Sequence, residues 1–472
     1  MHRATRTLTS RLRPGSRSRA LGAAGVGLAL SLSAVALAGP SLPTTPASES
    51  SYASVLHPAT YKVFDNTGRQ VGSAKWHWTS TGGNCCDVYV ASTPAGQLLE
   101  FGGEWPYLSA DHGQHWQQVS FTTPEVNGEG ALVVGSHGNV YAVDWDPDTG
   151  DHLQGVRYTA ASKRWEVAEA PLKTPLFDRE WITYAKGPFV DPVTRATVPF
   201  LTLVRGGGTT RAVELIATDG VSYTTPSYPN QDVQSGPEPR LFTIPVTRNP
   251  DADWWQPNPR TLTLPMSGGG LLLFDNGDDT LGAPAAWLNP TTLKWERVRL
   301  AFTPTGTVRQ DSRGWLTMVS RKGNQLTLAL SPDGGKTWRA TPLVLPRGLS
   351  TIEGYDTFYD VKVNGALGQA VVATRADNKQ GLGENVVWRV DVHHAQPSVM
   401  KVYEIGRGDI HNDYATSYLF NKSRFDYPSV AILPDGRIAT GFMDSTSPLS
   451  SYTETVTNPT GHSPALAILD NK

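Results

Sequence analysis

The sequence predicts an all-β protein built from a repeated unit, and three observations support this prediction. The 472 residues include 46 glycines and 35 prolines, and only 18% of them are charged. Short runs with alternating apolar residues recur along the chain, separated by turns that contain Gly or Pro, and long amphipathic helical patterns are absent. Two distant octets also share one pattern. Many short strands with Gly- and Pro-rich turns are typical of all-β domains.

The two matching octets are Ser109–Trp116, which we call box A, and Ser331–Trp338, which we call box B. Both fit S-x-D-x-G-x-x-W. Ser and Asp side chains can accept hydrogen bonds from backbone N–H groups two residues further on, and Gly adopts the positive φ of a tight hairpin. The Trp that starts the returning strand would cover the turn with apolar surface. The pattern resembles the Asp box of sialidases and other bacterial β-propellers.

The first 38 residues are expected to form an export signal. Residues 1–20 contain six arginines and no acid, and the apolar run Leu21–Ala38 ends in an A-x-A cleavage pattern. An uncleaved anchor is the alternative, because the run approaches the length that spans a membrane. Residues 39–56 are rich in Pro, Ser and Thr and are predicted to be a disordered lead-in. Residues 57–472 are predicted to form a single domain.

Charge and cysteine usage narrow the class of protein. Loss of the six N-terminal arginines would change the net charge from −2 to −8, and a mildly acidic exported protein is a poor candidate for binding nucleic acid. Cys85 and Cys86 are adjacent. An oxidising compartment would allow a vicinal disulfide, strained because neighbouring Cα atoms are only about 3.8 Å apart. Alternatively, the two thiols are reduced and point to opposite faces of a strand.

Pairs of apolar strands joined by a Gly turn recur at intervals along the chain. The clearest pairs are Asp87–Phe101, Arg260–Phe274 and Asp426–Phe442, and weaker ones begin near Gly130, Arg179, Val308 and Asp360. A hairpin of box type, or a degraded version of one, follows most pairs and ends at Trp116, Trp165, Tyr223, Trp295, Trp338 or Lys401. The last pair lacks such a hairpin. We expect its remaining strand, Ala465–Leu469, to be completed by the N-terminal strands Tyr61–Phe64 and Ala74–Trp78.

These repeats amount to seven units of roughly 45–65 residues, which is near the spacing of four-stranded propeller blades. The sequence therefore predicts a β-propeller with four-stranded antiparallel blades, closed into a ring by the two termini so that no sheet edge stays free. Seven blades are favoured, and six, the number in sialidases, is the alternative. The stretches between Tyr223 and Arg260 and after Asp444 are predicted to be loops, which often carry binding function.

Catalytic candidates follow from the resemblance to sialidases. In that family a comparable strand pair opens with Arg-Ile-Pro, whose Arg binds the substrate carboxylate, and ends with an acid/base Asp. Here the last pair opens with Asp426-Tyr427-Pro428 and ends with Asp444, so Asp426 replaces the expected Arg. Arg424 lies on the same face of an extended chain and could serve instead. The earlier pair offers Arg260 and Asp275. Alternatively, these Asp residues only begin hairpin turns.

A second cluster contains His411 and Tyr414 and continues to Arg424 and Tyr427. A polysaccharide lyase requires a base, commonly His or Tyr, to abstract the proton next to a uronate carboxylate. It also requires an Arg or a metal to neutralise that carboxylate. His411, Tyr414 or Tyr427 could supply the base, and Arg424 could neutralise the carboxylate, so the cluster contains the residue types that a lyase requires. The alternative is a polar loop that packs by its own hydrogen bonds.

Substrate-binding candidates are aromatic and charged residues near strand ends. They are Glu104, Trp105, Asp178, Arg179 and Trp181. Trp side chains could stack on sugar rings, although most of the 14 Trp residues must pack hairpins and blades.

Asp144, Asp146 and Asp148 alternate as in a calcium loop, but the Gly and the distal Glu of an EF-hand are missing, and a plain hairpin would also explain them. A structural calcium is thus possible, and no cofactor is required.

Together these features predict a secreted, monomeric, sialidase-like propeller whose partner is a carbohydrate, with no nucleic-acid partner and no membrane attachment once the signal is removed. The leading interpretation is a glycosidase that acts on an acidic or complex polysaccharide. A lyase acting on a uronic-acid polymer and a non-catalytic binding propeller are the alternatives, because propellers have many functions.

Overall fold

The computed structural model describes part of the chain, and all structural statements concern that part. It comprises residues 51–53, 56–80, 89–101, 106–118, 132–134, 140–145, 152–159, 164–167, 172–175, 181–190, 197–205, 211–217, 241–244, 262–265, 271–274, 285–288, 295–298, 309–322, 325–351, 359–378, 383–405, 429–444 and 463–470. These residues form 32 β-strands and no helix, so the described chain is all-β as predicted. In particular, none of the described segments is a helix long and apolar enough to cross a membrane.

The strands are numbered in chain order. The first group is β1 (Ser51–Ala53), β2 (His57–Phe64), β3 (Gln70–Ser80), β4 (Tyr89–Ser92), β5 (Leu98–Phe101), β6 (Pro106–Ser109), β7 (His115–Gln118), β8 (Val133–Val134), β9 (Val140–Trp145), β10 (His152–Thr159) and β11 (Arg164–Val167). The second group is β12 (Leu172–Pro175), β13 (Trp181–Val190), β14 (Thr197–Arg205), β15 (Arg211–Ala217), β16 (Leu241–Ile244), β17 (Leu262–Pro265), β18 (Leu271–Phe274), β19 (Ala285–Leu288), β20 (Trp295–Val298), β21 (Arg309–Gln310) and β22 (Leu316–Lys322). The third group is β23 (Gln325–Ser331), β24 (Arg339–Leu343), β25 (Leu349–Thr351), β26 (Tyr359–Asn364), β27 (Gln369–Asn378), β28 (Gly383–Asp391), β29 (Ser398–Ile405), β30 (Ser429–Ile432), β31 (Ile438–Asp444) and β32 (Ser463–Leu469).

Five of the six sheets are built around four consecutive strands. They are β4–β7, β8–β11, β13–β16, β17–β20 and β21–β24; β1 is added outside β7, and β12 pairs with β10. Consecutive strands within each sheet pair antiparallel. Such up-and-down sheets of four strands are the units of which propeller blades consist.

The sixth sheet joins the two ends of the chain. Its strands follow the order β25-β27-β28-β29-β2-β3-β32-β31-β30, and β26 also pairs with β27. The N-terminal strand β3 pairs with the C-terminal strand β32, with Trp76 opposite Leu469. This confirms the predicted pairing of the two termini. The neighbouring β2 continues the ladder to β29, with Lys62 opposite Glu404, and so covers an edge that would otherwise stay open.

The first strands of successive units lie side by side. β21 contacts β26, β26 contacts β30, β30 contacts β4, β4 contacts β8, β8 contacts β13, and β13 contacts β17. Sheets whose first strands follow one another around a common centre are the arrangement of a β-propeller. The described architecture therefore fits a β-propeller.

Burial on both faces explains why several strands are apolar throughout instead of alternating. Along β27, Val371 and Ala373 belong to a core cluster shared with β3 and β30–β32. Their neighbours Ala370 and Val372 belong to a second cluster shared with β22–β24. All four side chains are completely buried. A sheet packed between two other sheets loses the polar face, as propeller packing requires.

The structure departs from the sequence expectations in two places. The stretch between Tyr223 and Arg260, expected to be a loop, contains β16, which pairs with β15. Within the predicted lead-in, β1 pairs with β7, with Tyr52 opposite Trp116. In both cases the edge strand of a sheet, β15 or β7, provides hydrogen-bond partners that local composition does not reveal.

Candidate functional site

Most of the sequence-predicted site residues lie outside the described residues. These are Arg260, Asp275, His411, Tyr414, Arg424, Asp426, Tyr427, Glu104, Trp105, Asp178, Arg179, Asp146 and Asp148, together with Cys85, Cys86 and the whole of residues 1–50. Trp181, Asp144 and Asp444 are placed as strand residues by their backbones.

The three placed candidates lie at equivalent edges of their sheets. Trp181 is the first residue of β13, the first strand of its sheet. Asp444 is the last residue of β31, and Asp144 is the penultimate residue of β9, each the second strand of a unit. In an antiparallel pair the start of the first strand lies beside the end of the second. We call this edge, where first strands begin, the entry end.

The opposite edge is built by a turn that recurs between first and second strands. Each turn has five residues and contains the same two hydrogen bonds. The N–H of its first residue donates to the carbonyl of its fifth, and the N–H of its fourth donates to the carbonyl of its first. The three turns are Thr93–Gln97, Asp311–Trp315 and Leu433–Arg437. The fourth residue is a Gly with positive φ in each, 83° at Gly96 and 87° at Gly436. Only Gly adopts this conformation without strain. We call this edge, where first strands end, the turn end.

A cavity of about 460 Å³ opens at the turn end, and we call it the strand-end cavity. It is lined by residues of β4, β8, β21, β26 and β30 and of the turns that follow β4, β26 and β30. Five first strands from five units thus run in the same direction and end around one space. Its volume is in the range of small-molecule binding sites.

One wall of the strand-end cavity is cationic. Arg309 of β21 and Lys362 of β26 line it, and both are ion-paired to the Asp360 carboxylate, at 3.7 Å from Arg309 Nη2 and 3.2 Å from Lys362 Nζ. The Asp360 side chain is 8% exposed. A buried carboxylate requires such partners, because desolvation of an unpaired charge is costly.

The same residues join neighbouring first strands. The backbone N–H of Val430 on β30 donates to Asp360 Oδ2 at 3.0 Å, and Arg309 Nε donates to the Val361 carbonyl on β26 at 3.3 Å. One unit further on, the N–H of Val90 on β4 donates to Ser429 Oγ at 2.8 Å. These bonds link β21, β26, β30 and β4 in series. Strands that do not share a ladder are thereby held in register, which fixes the shape of the cavity.

Neutral polar groups complete the cavity wall. Gln310 Nε2 donates to the Gly314 carbonyl at 3.5 Å, while its buried Oε1 accepts no hydrogen bond within the described protein. Asn364 Oδ1 accepts from the Leu367 N–H at 3.1 Å and so shapes the turn after β26. Gln310 Oε1 is therefore a buried acceptor without a donor among the residues described.

Box A and box B form the hairpins that their sequences predict. Ser Oγ accepts from a Gly N–H, Gly113 at 2.7 Å in box A and Gly335 at 2.8 Å in box B. The Asp carboxylate accepts from the N–H of the residue before Trp, His115 or Thr337, at 2.8 Å in both. These bonds reach four residues along the chain, beyond the expected two, because the tight turn folds those N–H groups back.

The box carboxylates are held in the ionised form by these bonds. The Thr337 N–H, and after it the Thr337 hydroxyl, lowers the pKa of Asp333 to about 2. For Asp111, burial raises the pKa, but the hydrogen bonds from the His115 N–H and ring outweigh it, so that the pKa is lowered. A hydrogen bond to the charged form favours that form.

A histidine joins box A to the C-terminal end of the chain. His77 Nδ1 lies 2.5 Å from Asp470 Oδ1, and His77 Nε2 lies 3.2 Å from the carbonyl oxygen of His112. The contact ties β3, box A and the end of β32 together.

The described residues include no group of three or more His, Cys, Asp and Glu side chains that could hold a metal ion. The calcium prediction rests on Asp144, whose backbone alone is placed, and on Asp146 and Asp148, and so it stays a prediction.

The cavity residues were not identified as a site from sequence, although Asp360 was noted as the start of a strand pair. The sequence of β26 does contain a pattern that could have indicated the site. Asp360 and Lys362 alternate on a strand that is otherwise apolar, and charges on a central strand require a partner. Arg309, which supplies it, is 51 residues away in the chain. Nothing local connects it to Asp360.

Comparison with known proteins adds little at the level of sequence. No protein-family model matches the chain, and a search of curated proteins finds no relative. Among solved structures, a protein of unknown function from Dyadobacter fermentans aligns over 88% of this chain and 98% of its own, with 11% identity and a TM-score of 0.33.

Two further solved structures are carbohydrate-active proteins. The intramolecular trans-sialidase of Ruminococcus gnavus is 13% identical, with 77% of this chain and 90% of that chain covered and a TM-score of 0.31. An ulvan lyase is 10% identical, with 84% and 88% covered and a TM-score of 0.30. At such TM-scores these likenesses carry no argument about function.

Proposed function

We propose that this chain is an exported, seven-bladed Asp-box β-propeller that binds a glycan at the entry end of its ring and cleaves it. The blade count is supported by the seven first strands β21, β26, β30, β4, β8, β13 and β17, which follow one another by contact. The seventh unit consists of β30–β32 and the N-terminal strand β3. Export is supported by the composition of residues 1–38 alone.

The observation that carries the proposal is the register at the entry end. Leu262 of β17 pairs with Phe274 of β18. In the sequence, Arg260 lies two residues before Leu262, and Asp275 directly follows Phe274. In β30 and β31, Ser429 pairs with Gly441. Asp444 lies three residues beyond Gly441, and the chain enters β30 through Asp426 and Tyr427. In both units the sequence thus places an acid beside the end of the second strand, and the candidate partners precede the first strand.

The roles follow from the chemistry of those residue types. Asp275 or Asp444 would serve as acid/base, and Tyr427, activated by Asp426, would act as the nucleophile. Arg260 and Arg424 would hold an anionic group of the substrate. Trp181, which opens β13, and the candidates Glu104, Trp105, Asp178 and Arg179 would form the adjoining sugar platform, because they too precede first strands or follow second strands.

Turnover assays with the exported protein test this proposal. A fluorogenic sialoside reports hydrolysis, the ultraviolet absorbance of an unsaturated uronate reports elimination by the lyase candidates His411 and Tyr414, and a glycan array reports binding. We expect turnover in one of the first two assays. Binding without turnover on any substrate would leave only the binding propeller, and no binding at all would end the proposal.

A matched pair of variants locates the chemistry. Asp444→Asn should lower turnover by about 100-fold or more, the usual contribution of a general acid or base. Asp391→Asn removes a carboxylate from the last residue of β28, far along the sheet from the entry end, and should leave turnover unchanged. Equal loss in both variants, or in neither, would contradict the assignment of Asp444.

A further inference from the structure

The hairpin of β2 and β3, which we call the clasp, contacts four units that follow one another around the ring. Its strand β3 pairs with β32 and so completes the unit of β30–β32, while β2 pairs with β29 of the neighbouring unit. The turn between the two strands contacts the unit of β21–β24. His77 of β3 contacts box A in the unit of β4–β7. One short hairpin therefore holds four units together.

The turn of the clasp covers the outer edge of β24. Asn66 Nδ2 donates to the Pro342 carbonyl at 3.0 Å, and the N–H of Val344 donates to Asn66 Oδ1 at 3.1 Å. One side-chain amide thus makes the two kinds of bond that a neighbouring strand would make. Gly68 allows the close approach, because a Cβ on it would lie 2.6 Å from the Leu345 carbonyl oxygen.

The side of the clasp that faces β29 is bound by charge and by apolar packing. Lys62 Nζ lies 2.7 Å from Glu404 Oε1. The rings of Trp76 and Tyr403 meet edge to face, with their centroids 5.3 Å apart, and both side chains are completely buried. The ion pair joins residues that are 342 positions apart in the chain. The apolar face of the clasp is therefore buried only once a much later strand is in place.

The clasp cannot be stable before its partners arrive. A single two-stranded hairpin is marginally stable at best in water. The bonds that secure this one span 276 residues to Pro342 and 393 residues to Asp470. The entropy of closing such long loops must be lost before the contacts compensate for it.

The units themselves are built from local contacts. In the unit of β21–β24, each ladder joins two consecutive strands. In box B, which connects β23 to β24, the N–H of Gly335 donates to Ser331 Oγ, only four residues away. Local contacts form faster than distant ones because less chain entropy is lost in making them. The topology therefore favours formation of the units before the clasp.

We propose that the clasp is the last part of the described fold to form, and that the ring stays open until the chain has been made as far as Asp470. This order reverses the usual N-terminal-first folding during synthesis. The clasp follows the predicted export signal, residues 1–38, so the strands nearest the signal stay unpaired while the later units are made. Such a delay keeps this segment unfolded for export. The order concerns folding and is independent of the proposed glycan cleavage.

Pulse-labelling hydrogen exchange, read by mass spectrometry during refolding of the whole protein, tests this order. A prolyl isomerase is present throughout, so that slow X-Pro isomerisation does not set the times. We expect the amides of β22 and β23 to become protected at least about tenfold earlier than those of β2 and β3. Protection of β2 and β3 before β22 and β23, or at the same time, would overturn the inference.

A matched pair of alanine variants separates distant from local contacts. Asn66→Ala removes the two bonds to β24, and Ser331→Ala removes the bond from Gly335 within box B. Contacts that form last act on unfolding alone. Asn66→Ala should therefore speed the loss of protection of β2 and β3 in urea about tenfold and leave the refolding time of β22 and β23 unchanged. Ser331→Ala should delay the protection of β23 and β24.

Slower protection of β22 and β23 in Asn66→Ala would show that the clasp forms early, and this too would overturn the inference. The order of protection in the unmodified protein needs neither variant, so the test stands even if one of them does not fold.

Discussion

In box A the side chain of Trp116 is completely buried, whereas the equivalent Trp338 of box B stays partly exposed. The hydrogen bonds that the Ser and Asp side chains accept from backbone N–H groups are the same in both boxes. The residue before the Gly that both boxes share, Gly113 in box A and Gly335 in box B, differs. It is His112, with φ 60°, in box A and Gly334, with φ 71°, in box B.

The surroundings explain the difference between the two boxes. Box A packs against the sheet that joins the termini, where Gly113 lies beside Ile468 and Thr79 and the His112 carbonyl accepts from His77. In box B, Gly334 takes the position of His112, and nothing lies within 4 Å of a Cβ built on it. The non-Gly residue in the left-handed region persists only where neighbours hold it. The same hydrogen-bonded hairpin therefore packs against the sheet that joins the termini in box A and is a more exposed turn in box B.

Truncation of the two Trp residues should show the largest difference. Trp116→Ala leaves a cavity in a fully packed core and should lower the free energy of unfolding by about 3–5 kcal/mol. Trp338→Ala removes a half-buried ring and the hydrogen bond from its Nε1 to the Gly335 carbonyl, and about 1–2 kcal/mol is expected. Urea denaturation of the two variants measures both. Equal losses would show that the boxes have the same tertiary role.

Substitution of a box glycine should give an intermediate effect. Gly113→Ala and Gly334→Ala both place a Cβ at positive φ, at a cost of roughly 1–2 kcal/mol. At Gly113 the Cβ would also lie 2.7 Å from Ile468 Cδ1, and because Ile468 is completely buried, overpacking adds about 1–3 kcal/mol. Thermal unfolding should rank Gly113→Ala as clearly less stable than Gly334→Ala. The reverse order would contradict the packing of box A against β32.

Acid titration of the box carboxylates should show the smallest effect. The folded-state pKa of Asp333 is about 2, against 3.8 for an unperturbed Asp. A depressed pKa adds stability that is complete above the unfolded value and is lost as the pH falls through the folded one. The stability advantage of the unmodified protein over Asp333→Asn should thus be present at pH 7 and shrink between about pH 4 and pH 2.

The same sign holds for Asp111, whose pKa is also lowered. Urea denaturation at pH 7 and pH 3 compares Asp111→Asn and Asp333→Asn with the unmodified chain. In box A the residue four positions on is His115, whose ring Nδ1 lies 2.5 Å from Asp111 Oδ2, while box B has the Thr337 hydroxyl at 2.7 Å from Asp333 Oδ2. A stability advantage that grows as the pH falls would contradict the hydrogen-bond assignment in either box.

Several elements could be predicted because their cause is local. The hairpins of boxes A and B follow from Ser, Asp and Gly within eight residues, and the turn at Gly436 follows from Pro434-Asp435-Gly436 between two apolar strands. The completion of the last unit, with its strand Ala465–Leu469, by the N-terminal strands was also predicted, because an unfinished unit at one end of the chain requires a partner from the other. By contrast, β16 is found between Tyr223 and Arg260, where composition indicated a loop, because its partner β15 is supplied by the sheet.

The candidate site divides in the same way. Asp444 could be assigned to a strand end because hydrophobic alternation indicates where its strand ends, and Trp181 was also predicted to lie near a strand end. The grouping of Arg309, Asp360 and Lys362 around one cavity could not be predicted from the sequence, because Arg309 belongs to a different unit from the other two. Its position depends on how the units pack around the ring.

The sequence by itself determined the β class, the box hairpins and the completion of the last unit by the N-terminal strands. The β class and the hairpins depend on backbone hydrogen bonding and on hydrophobic periodicity, which extend over a few residues. The completion of the last unit was predictable because that unit lacks strands that the other repeats have. Only the tertiary structure decided that Trp116 is core while Trp338 is not, that β2 extends the ladder to β29, and that two cations share Asp360 at a central cavity. The burial and desolvation of a side chain depend on the residues of other units that pack against it, and a local sequence pattern does not specify those residues.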